Sequence, residues 1–249
     1  MIDVETTDGV ALLRFARPPA NAIDLDAVRA LEATLADLEA DAATRAVVLT
    51  GHGAFFSAGL DLKVVPTYGP DEQRAMVTGI NRLIRRLYGL GVPTVAAVNG
   101  HAIAGGLVIV LACDLRIVSD GPHRIGLTET RVAVPYPVAA MTVVTAELSP
   151  TVARRMVLLA RNGTVADAVA DGVLDERQPA EALLPRALAV AGELAALPRD
   201  AYARIKQHLR ATALARMDAV LATGSDPLLA SWLGAETAGA AATVLAGRE

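Results

Sequence analysis

Glu129 is the residue whose neighbours best suit it to proton transfer. It lies in the apolar segment 125–135, IGLTETRVAVP. A carboxyl group among apolar neighbours has a raised pKa, which favours general acid–base catalysis. The other interpretation is a solvent-facing glutamate paired with Arg131. The spacing alone favours this second interpretation, because glutamate side chains are mostly exposed.

Two glycine-containing segments, 55–62 (FFSAGLDL) and 99–106 (NGHAIAGG), follow predicted buried strands. Gly105 and Gly106 precede the apolar segment 107–112, whose composition predicts a buried helix. The first amides of a helix lack intrahelical acceptors and carry the positive end of its dipole, so they could hold a negatively charged oxygen. Tight packing is the commoner reason for paired glycines before a buried helix, and it is favoured while each segment is considered alone.

Other catalytic patterns are absent from the sequence. It contains no dinucleotide-binding GxGxxG motif, no P-loop, no HExxH zinc motif and no GxSxG nucleophile elbow. The four histidines have no metal-ligand spacing, so we expect no metal site. Cys113 follows the apolar segment 107–112, where burial would raise the pKa of its thiol, and we interpret it as a core residue.

Hydrophobic spacing predicts the elements that position these residues. Continuous apolar runs predict strands at 10–15, 46–50, 94–98 and 115–118. Three-and-four spacing predicts helices after the cap Asp24, over 71–88, and from Ser149 to the pair Asn162-Gly163. Beyond Pro179 the pattern is helical. Strands alternating with helices over the first two thirds predict an α/β core.

The composition restricts the class of protein. The 249 residues include one cysteine and carry a net charge of −4, with no block of five like charges. This excludes a disulfide framework and argues against nucleic-acid or membrane binding. No secretory signal pattern or apolar run of about 20 residues is present. We therefore expect a soluble cytoplasmic protein. The apolar helical tail predicts an oligomer, with Trp232 as an inter-helix or subunit contact.

Several segments together resemble the crotonase superfamily, the enoyl-CoA hydratase/isomerases. They are 17–24 (RPPANAID), 55–63 (FFSAGLDLK), 96–120 (AAVNGHAIAGGLVIVLACDLRIVSD) and 164–176 (TVADAVADGVLDE). The resemblance implies an α/β fold, a crotonase-like spiral of repeated β-β-α units over 1–195. It also implies a helical C-terminal region over 196–249 that packs and oligomerises, as a homotrimer or as a hexamer of two trimers.

The resemblance also implies a binding site for an acyl-CoA thioester. The backbone N–H groups of Leu60 and Gly105 would hold the thioester oxygen. Residues that would bind CoA or the acyl chain are Ala22, Ala58, Asp61, Leu62, Lys63, Gly106, Val108 and Tyr136. From the residues alone, Asp61 is equally a backbone-capping carboxylate, and Tyr136 equally a rigid turn between two prolines. No separate cofactor is implied, because coenzyme A is part of the substrate.

One departure from the family pattern bears on the reaction. Hydratases of the family carry two glutamates, whose positions here are Val108 and Glu129. The segment 125–130 (IGLTET) resembles mitochondrial-type Δ3,Δ2-enoyl-CoA isomerases, in which this glutamate is catalytic. The resemblance favours an isomerase that converts 3-enoyl-CoA to 2-enoyl-CoA with Glu129 as its sole acid and base. A 2-enoyl-CoA hydratase and a non-catalytic acyl-CoA-binding protein remain alternatives.

Overall fold

A computed structural model describes residues 2–247. Its strands are β1 (Ile2–Thr7), β2 (Val10–Phe15), β3 (Ala46–Gly51), β4 (Phe55–Ser57), β5 (Thr94–Val98), β6 (His101–Ile103), β7 (Leu115–Ser119), β8 (Ile125–Gly126) and β9 (Glu176–Gln178). Its helices are α1 (Leu25–Ala40), α2 (Pro70–Tyr88), α3 (Gly105–Ala112), α4 (Val138–Glu147), α5 (Pro150–Leu159), α6 (Val165–Ala170), α7 (Ala180–Ala195), α8 (Arg199–Leu209), α9 (Ala211–Thr223) and α10 (Ala235–Leu245). Short 3₁₀ turns lie at Val65–Thr67, Glu129–Val132 and Pro227–Leu229.

The strands form two sheets that the chain visits alternately. The main sheet has the order β1-β2-β3-β5-β7-β9, with β1 antiparallel to β2 and the other pairs parallel. The small sheet, β4-β6-β8, is parallel. The chain passes from the main sheet to the small sheet and then into a helix three times, as β3-β4-α2, β5-β6-α3 and β7-β8-α4. The predicted α/β spiral of β-β-α units is confirmed.

The main sheet is covered on both faces, which explains its continuous apolar runs. Side chains alternate along a strand, so the residues of β3 divide between two clusters. Val47 and Leu49 belong to the large core that includes α1, α2 and α3. Ala46 and Val48 belong to a second cluster with the buried side of α7. Since each face of β3 packs against one of these clusters, both of these sets of side chains are apolar.

Most predicted elements are confirmed within a few residues. Asp24 caps α1 by accepting a hydrogen bond from the Ala27 amide at 2.9 Å. The apolar segment after Gly106 is a buried helix, as expected. The helix that begins after Ser149 ends earlier than predicted, because Ala160 adopts a left-handed conformation with φ 48°. Gly163 instead pairs with Ile125 in an antiparallel bridge.

The C-terminal helices pack on the core and reach the end of β8. Helix α9 contacts α2 and α4, and α10 contacts the Glu129–Val132 turn. Asp114 forms buried ion pairs with Lys206 at 2.8 Å and Arg210 at 2.9 Å, which fasten α8 to the sheet.

The predicted division after residue 195 stays a prediction, and Arg248 and Glu249 of the predicted tail lie outside the described residues. None of the helices in the described part of the chain is long and apolar enough to cross a bilayer.

Candidate active site

Two adjoining cavities meet beside Glu129. One is an open cleft of about 630 Å³, within the size range of cofactor and substrate sites. The other, the inner cavity, has a volume of about 50 Å³ and is lined mostly by apolar side chains. Leu60, Glu129 and Val134 line both, so the two cavities adjoin at these residues. A ligand in the cleft could therefore extend past Glu129 into the apolar interior.

Gly59 allows the loop after β4 to touch the start of α3. Its φ is +78°, which favours glycine, and a Cβ there would lie 2.8 Å from the Ala104 Cβ and 2.9 Å from the Gly105 nitrogen. Both distances are shorter than real Cβ contacts. No larger residue fits without separating the two loops.

The backbone N–H of Leu60 points away from the segment that contains Ile23, with which Leu60 is paired. Leu60 is paired with Ile23, which donates to the Gly59 carbonyl at 2.8 Å and accepts from the Asp61 amide at 2.9 Å. In such a parallel pairing the flanking residues make the hydrogen bonds, so the N–H of Leu60 itself points to the other side. Leu60 also lines both cavities, which is consistent with the expected role of its amide.

Gly105 supplies a second amide at the N-terminus of α3. As the first helical residue it has no intrahelical acceptor, and the helix dipole adds positive potential at this point. Ala104 before it has φ 52° and ψ −129°, an unusual conformation for a residue with a side chain. The Ala104 amide donates to the Gly126 carbonyl at 2.8 Å, which holds this strained turn in place. The direction of the Gly105 amide is thus set by the backbone.

Gly106 has a different role from Gly105. A Cβ on Gly106 would lie 2.3 Å from the Ser57 carbonyl oxygen, and Gly106 lines neither cavity. The structure therefore does not bring Gly106 to the site, where it was predicted to bind substrate. The close approach of β4 to α3 explains this glycine, as the tight-packing interpretation proposed.

Glu129 begins the 3₁₀ turn that follows β8, and only 6% of its surface is exposed. The interpretation of Glu129 as a solvent-facing side chain is therefore wrong. Neighbouring segments fix the turn, because the Thr130 hydroxyl donates to the Val157 carbonyl and the Thr237 hydroxyl to the Ala133 carbonyl. Val157 and Thr237 are remote in sequence from this turn, so local spacing did not predict how the turn is packed.

The environment of Glu129 favours its neutral form. Burial raises the pKa of its carboxyl group to about 7, although hydrogen bonds from the Tyr136 hydroxyl and nearby backbone amides lower it. The Tyr136 hydroxyl donates to Oε2 of Glu129, and burial together with that carboxylate raises the pKa of Tyr136 strongly. A carboxyl group that titrates near neutral pH can both accept and return a proton.

The walls of the inner cavity are apolar. Val108 lines it and is 2% exposed. Helix α2 contributes Ile80, Leu83 and Ile84. Among the described residues that line this cavity, Glu129 is the only one with an acidic side chain. A reaction there has a single carboxylate at its disposal.

Trp232 is a wall residue that the sequence did not indicate. It was predicted to be an inter-helix or subunit contact, but it lines the inner cavity and is 3% exposed. Its indole N–H donates to the Pro135 carbonyl at 2.9 Å. No local pattern could have found it, because 97 residues separate it from Pro135. Tyr136, predicted as a pocket residue or a rigid turn, also lines this cavity.

The open cleft contains most of the other predicted binding residues. Those that line it are Ala22, Ala58, Asp61, Leu62 and Lys63. Arg17, which was not predicted, also lines the cleft and holds its loops together. Its guanidinium contacts Asp61 at 2.7 Å, Asp24 at 2.8 Å and the Ala22 carbonyl at 2.8 Å. Burial alone would raise the pKa of Asp61, but the hydrogen bond from Arg17 helps to lower it. Asp61 therefore supports the cleft wall.

Comparison with known proteins places these features in context. The enoyl-CoA hydratase/isomerase family model matches residues 5–229. Human mitochondrial enoyl-CoA delta isomerase 1 is 30% identical over 219 residues, which cover 87% of this chain and 72% of that protein. A putative enoyl-CoA hydratase from Thermus thermophilus is 40% identical over 164 residues, covering 65% of this chain and 64% of the relative. The crystal structure of human mitochondrial delta3-delta2-enoyl-CoA isomerase superimposes with a TM-score of 0.92 at 27% identity, covering 99% of this chain and 97% of that one.

Proposed function

The chain belongs to the enoyl-CoA hydratase/isomerase family, and from this premise we propose that it is a Δ3,Δ2-enoyl-CoA isomerase. One observation carries the proposal. Glu129 is the sole carboxylate among the described residues of the inner cavity, and apolar Val108 lines the same cavity. Moving a double bond requires one group that takes and returns a proton, whereas adding water benefits from two carboxylates that hold it.

In the proposed complex, the thioester oxygen accepts hydrogen bonds from the Leu60 and Gly105 amides. The CoA portion lies in the open cleft beside Leu62 and Lys63, and the acyl chain enters the inner cavity. Coenzyme A thus belongs to the substrate, and we propose no additional cofactor. Rigid backbone donors stabilise a developing oxyanion without having to reorient.

The proposed reaction has two proton transfers. The Glu129 carboxylate removes a proton from C2, and the electrons of that C–H bond pass into a dienolate whose charge rests on the thioester oxygen. The protonated Glu129 then returns the same proton to C4. The double bond moves from C3=C4 to C2=C3, with no atom gained or lost. Apolar walls keep water away from the intermediate.

The direct test supplies the purified protein with a 3-enoyl-CoA and follows the absorbance of the conjugated 2-enoyl thioester. We expect turnover in the wild type and its loss in Glu129→Gln. Absence of turnover, or unchanged turnover in Glu129→Gln, would refute the proposal. Hydration of crotonyl-CoA is measured in parallel, because rapid hydration would instead indicate the hydratase. A protein that binds acyl-CoA but exchanges no C2 proton with deuterated solvent would be a binding protein.

We also propose that the protein assembles as a trimer or as a hexamer of two trimers. Helix α8 exposes Ile205 at 68% and Leu209 at 84%, two apolar side chains one helical turn apart. Apolar residues on one helix face favour contact with another surface. Sedimentation equilibrium at micromolar concentration tests the assembly, and a monomer would refute it.

A further inference from the structure

Tyr136 is held rigidly at the edge of the inner cavity. Prolines 135 and 137 flank it, and each restricts the backbone around it. The Pro135 carbonyl accepts a hydrogen bond from the Trp232 indole, and the Val138 amide donates to Asp226 at 2.9 Å. The C-terminal region therefore fastens this segment on both sides of the tyrosine.

Asp226 is itself a fixed anchor. It is 3% exposed, and its Oδ2 also accepts a hydrogen bond from the Asn81 side chain of α2 at 2.8 Å. Its Oδ1 accepts from the Leu228 amide at 2.9 Å. Because these partners come from the core and from the C-terminal region, the backbone that carries Tyr136 is fixed by packing. A hydroxyl held in this way can direct the group it contacts.

That group is Oε2 of Glu129, which accepts the Tyr136 hydrogen bond. The terminal torsion of a glutamate is broad and two-fold, so a free carboxyl group can exchange its two oxygens by rotation. A donor fixed at one oxygen removes this freedom. The other oxygen, Oε1, is then the one offered to a ligand.

A second buried tyrosine–glutamate pair provides a comparison. Tyr88 donates to Oε1 of Glu147 at 2.7 Å, but Glu147 also lies beside the guanidinium groups of Arg116 and Arg210. Within residues 2–247, no such ion pair is found for Glu129. The tyrosine at Glu129 thus acts without a counter-ion, where its hydrogen bond has a larger share in setting the state of the carboxyl group.

We propose that Tyr136 is a positioning residue that holds Oε2 of Glu129, so that Oε1 alone carries the proton between C2 and C4. The proposal rests on the proposed isomerase function for its chemistry. Because one fixed oxygen removes the proton from C2 and returns it to C4, the proton stays on one face of the acyl chain. Tyr136 itself neither gains nor loses a proton in either step.

The test is Tyr136→Phe, which removes the hydroxyl and keeps the ring that lines the cavity. The first readout is the titration of the Glu129 carboxyl carbon by ¹³C NMR, assigned by comparison with Glu129→Gln. Because the hydrogen bond stabilises the carboxylate, its loss should raise the pKa of Glu129 by about one unit. An unchanged pKa would overturn the proposal.

The second readout is kinetic. We expect kcat for 3-enoyl-CoA to fall about 10-fold with KM within about twofold, because the base is misdirected while binding is unaffected. With substrate deuterated at C2, the fraction of label that reaches C4 should also fall, since a rotating carboxyl group exchanges its deuteron more readily. Unchanged kcat and label transfer would refute the positioning role even if the pKa moved.

Tyr88→Phe is the matched control, because it removes the same type of hydrogen bond outside the cavities. It should lower the melting temperature while leaving the pKa of Glu129 and the label transfer unchanged. Equal effects of the two variants would overturn the proposal. An inactive wild type would refute the isomerase function instead, and the NMR titration would still decide whether Tyr136 controls the Glu129 carboxyl group.

Discussion

Gly59 and the backbone nitrogen of Gly105 are in direct contact, since a Cβ on Gly59 would lie 2.9 Å from that nitrogen. This contact joins the two loops whose amides, at Leu60 and Gly105, form the candidate oxyanion hole. The spacing of these two donors depends on how closely the loops approach. Their separation can therefore be changed without altering either donor.

We expect Gly59→Ala to lower turnover of 3-enoyl-CoA by about 100-fold, comparable to the loss of one oxyanion donor. The new methyl group would force the Leu60 loop away from Gly105. Gly172→Ala is the matched control, because Gly172 has a similar φ of +72° but open space around its Cβ position. Both variants should lose some thermal stability through backbone strain, and only Gly59→Ala should lose activity. Equal activities would contradict this assignment.

Glu129→Gln should reduce isomerisation by at least about 100-fold while leaving the affinity for a saturated acyl-CoA nearly unchanged. The amide keeps the size of the side chain and cannot accept the C2 proton. Steady-state kinetics and calorimetric titration measure the two properties. Glu181→Gln, on the exposed side of α7, controls for the general effect of removing a negative charge. If Glu129→Gln weakened binding as strongly as turnover, the residue would serve binding rather than proton transfer.

The activity should depend on pH through Glu129. Only its carboxylate form can remove the C2 proton, and burial raises its pKa to about 7. We therefore expect kcat/KM to rise as the pH increases through about 7 and then to level off. Any residual activity of Glu129→Gln should lack this step. A wild-type profile that is flat across neutral pH would show that another group limits the reaction.

The stability of the protein should respond to pH in the opposite direction. Glu129 is protonated in both the folded and unfolded states below its ordinary pKa of 4.5, so its burial then carries no ionisation cost. Between 4.5 and about 7 the unfolded state loses its proton first, which lowers the free energy of unfolding by up to about 3 kcal/mol as the pH rises. Denaturant unfolding between about pH 5 and pH 8 should show a flatter dependence for Glu129→Gln than for wild type or Glu181→Gln.

Val108→Glu tests why the cavity favours isomerisation. It places a second carboxyl group in the inner cavity, where one could help hold a water molecule. We expect hydration of crotonyl-CoA to increase and isomerisation to decrease, together with a lower melting temperature caused by burial of a polar group. Val108→Leu keeps the position apolar and should change neither the hydration nor the isomerisation activity. Unaltered hydration in a folded Val108→Glu protein would show that a second carboxylate alone is insufficient.

Local sequence patterns predicted the longer strands beside the site and the buried helix after Gly106, but not the short strands β4, β6 and β8. They also pointed to Glu129 and Gly105, and the family resemblance added Leu60; the structure brings all three to the same cavity. The local pattern was wrong on the exposure of Glu129, and the structure does not place Gly106, a binding residue implied by the resemblance, at the site. Both differences concern packing, since Gly106 fits against Ser57 and the turn that carries Glu129 contacts α5 and α10.

Hydrophobic periodicity, turn residues and helix caps determined the longer strands and helices and their alternation, because each depends on residues a few positions apart. The β-β-α order followed from the family resemblance. The tertiary structure alone decided that Glu129 is buried, that Tyr136 holds one of its oxygens, and that Trp232 closes the cavity. These contacts join segments that are remote in sequence or separated by irregular turns. The pKa of the carboxyl group depends on the water that these contacts exclude, so it is a property of the folded protein rather than of the local sequence.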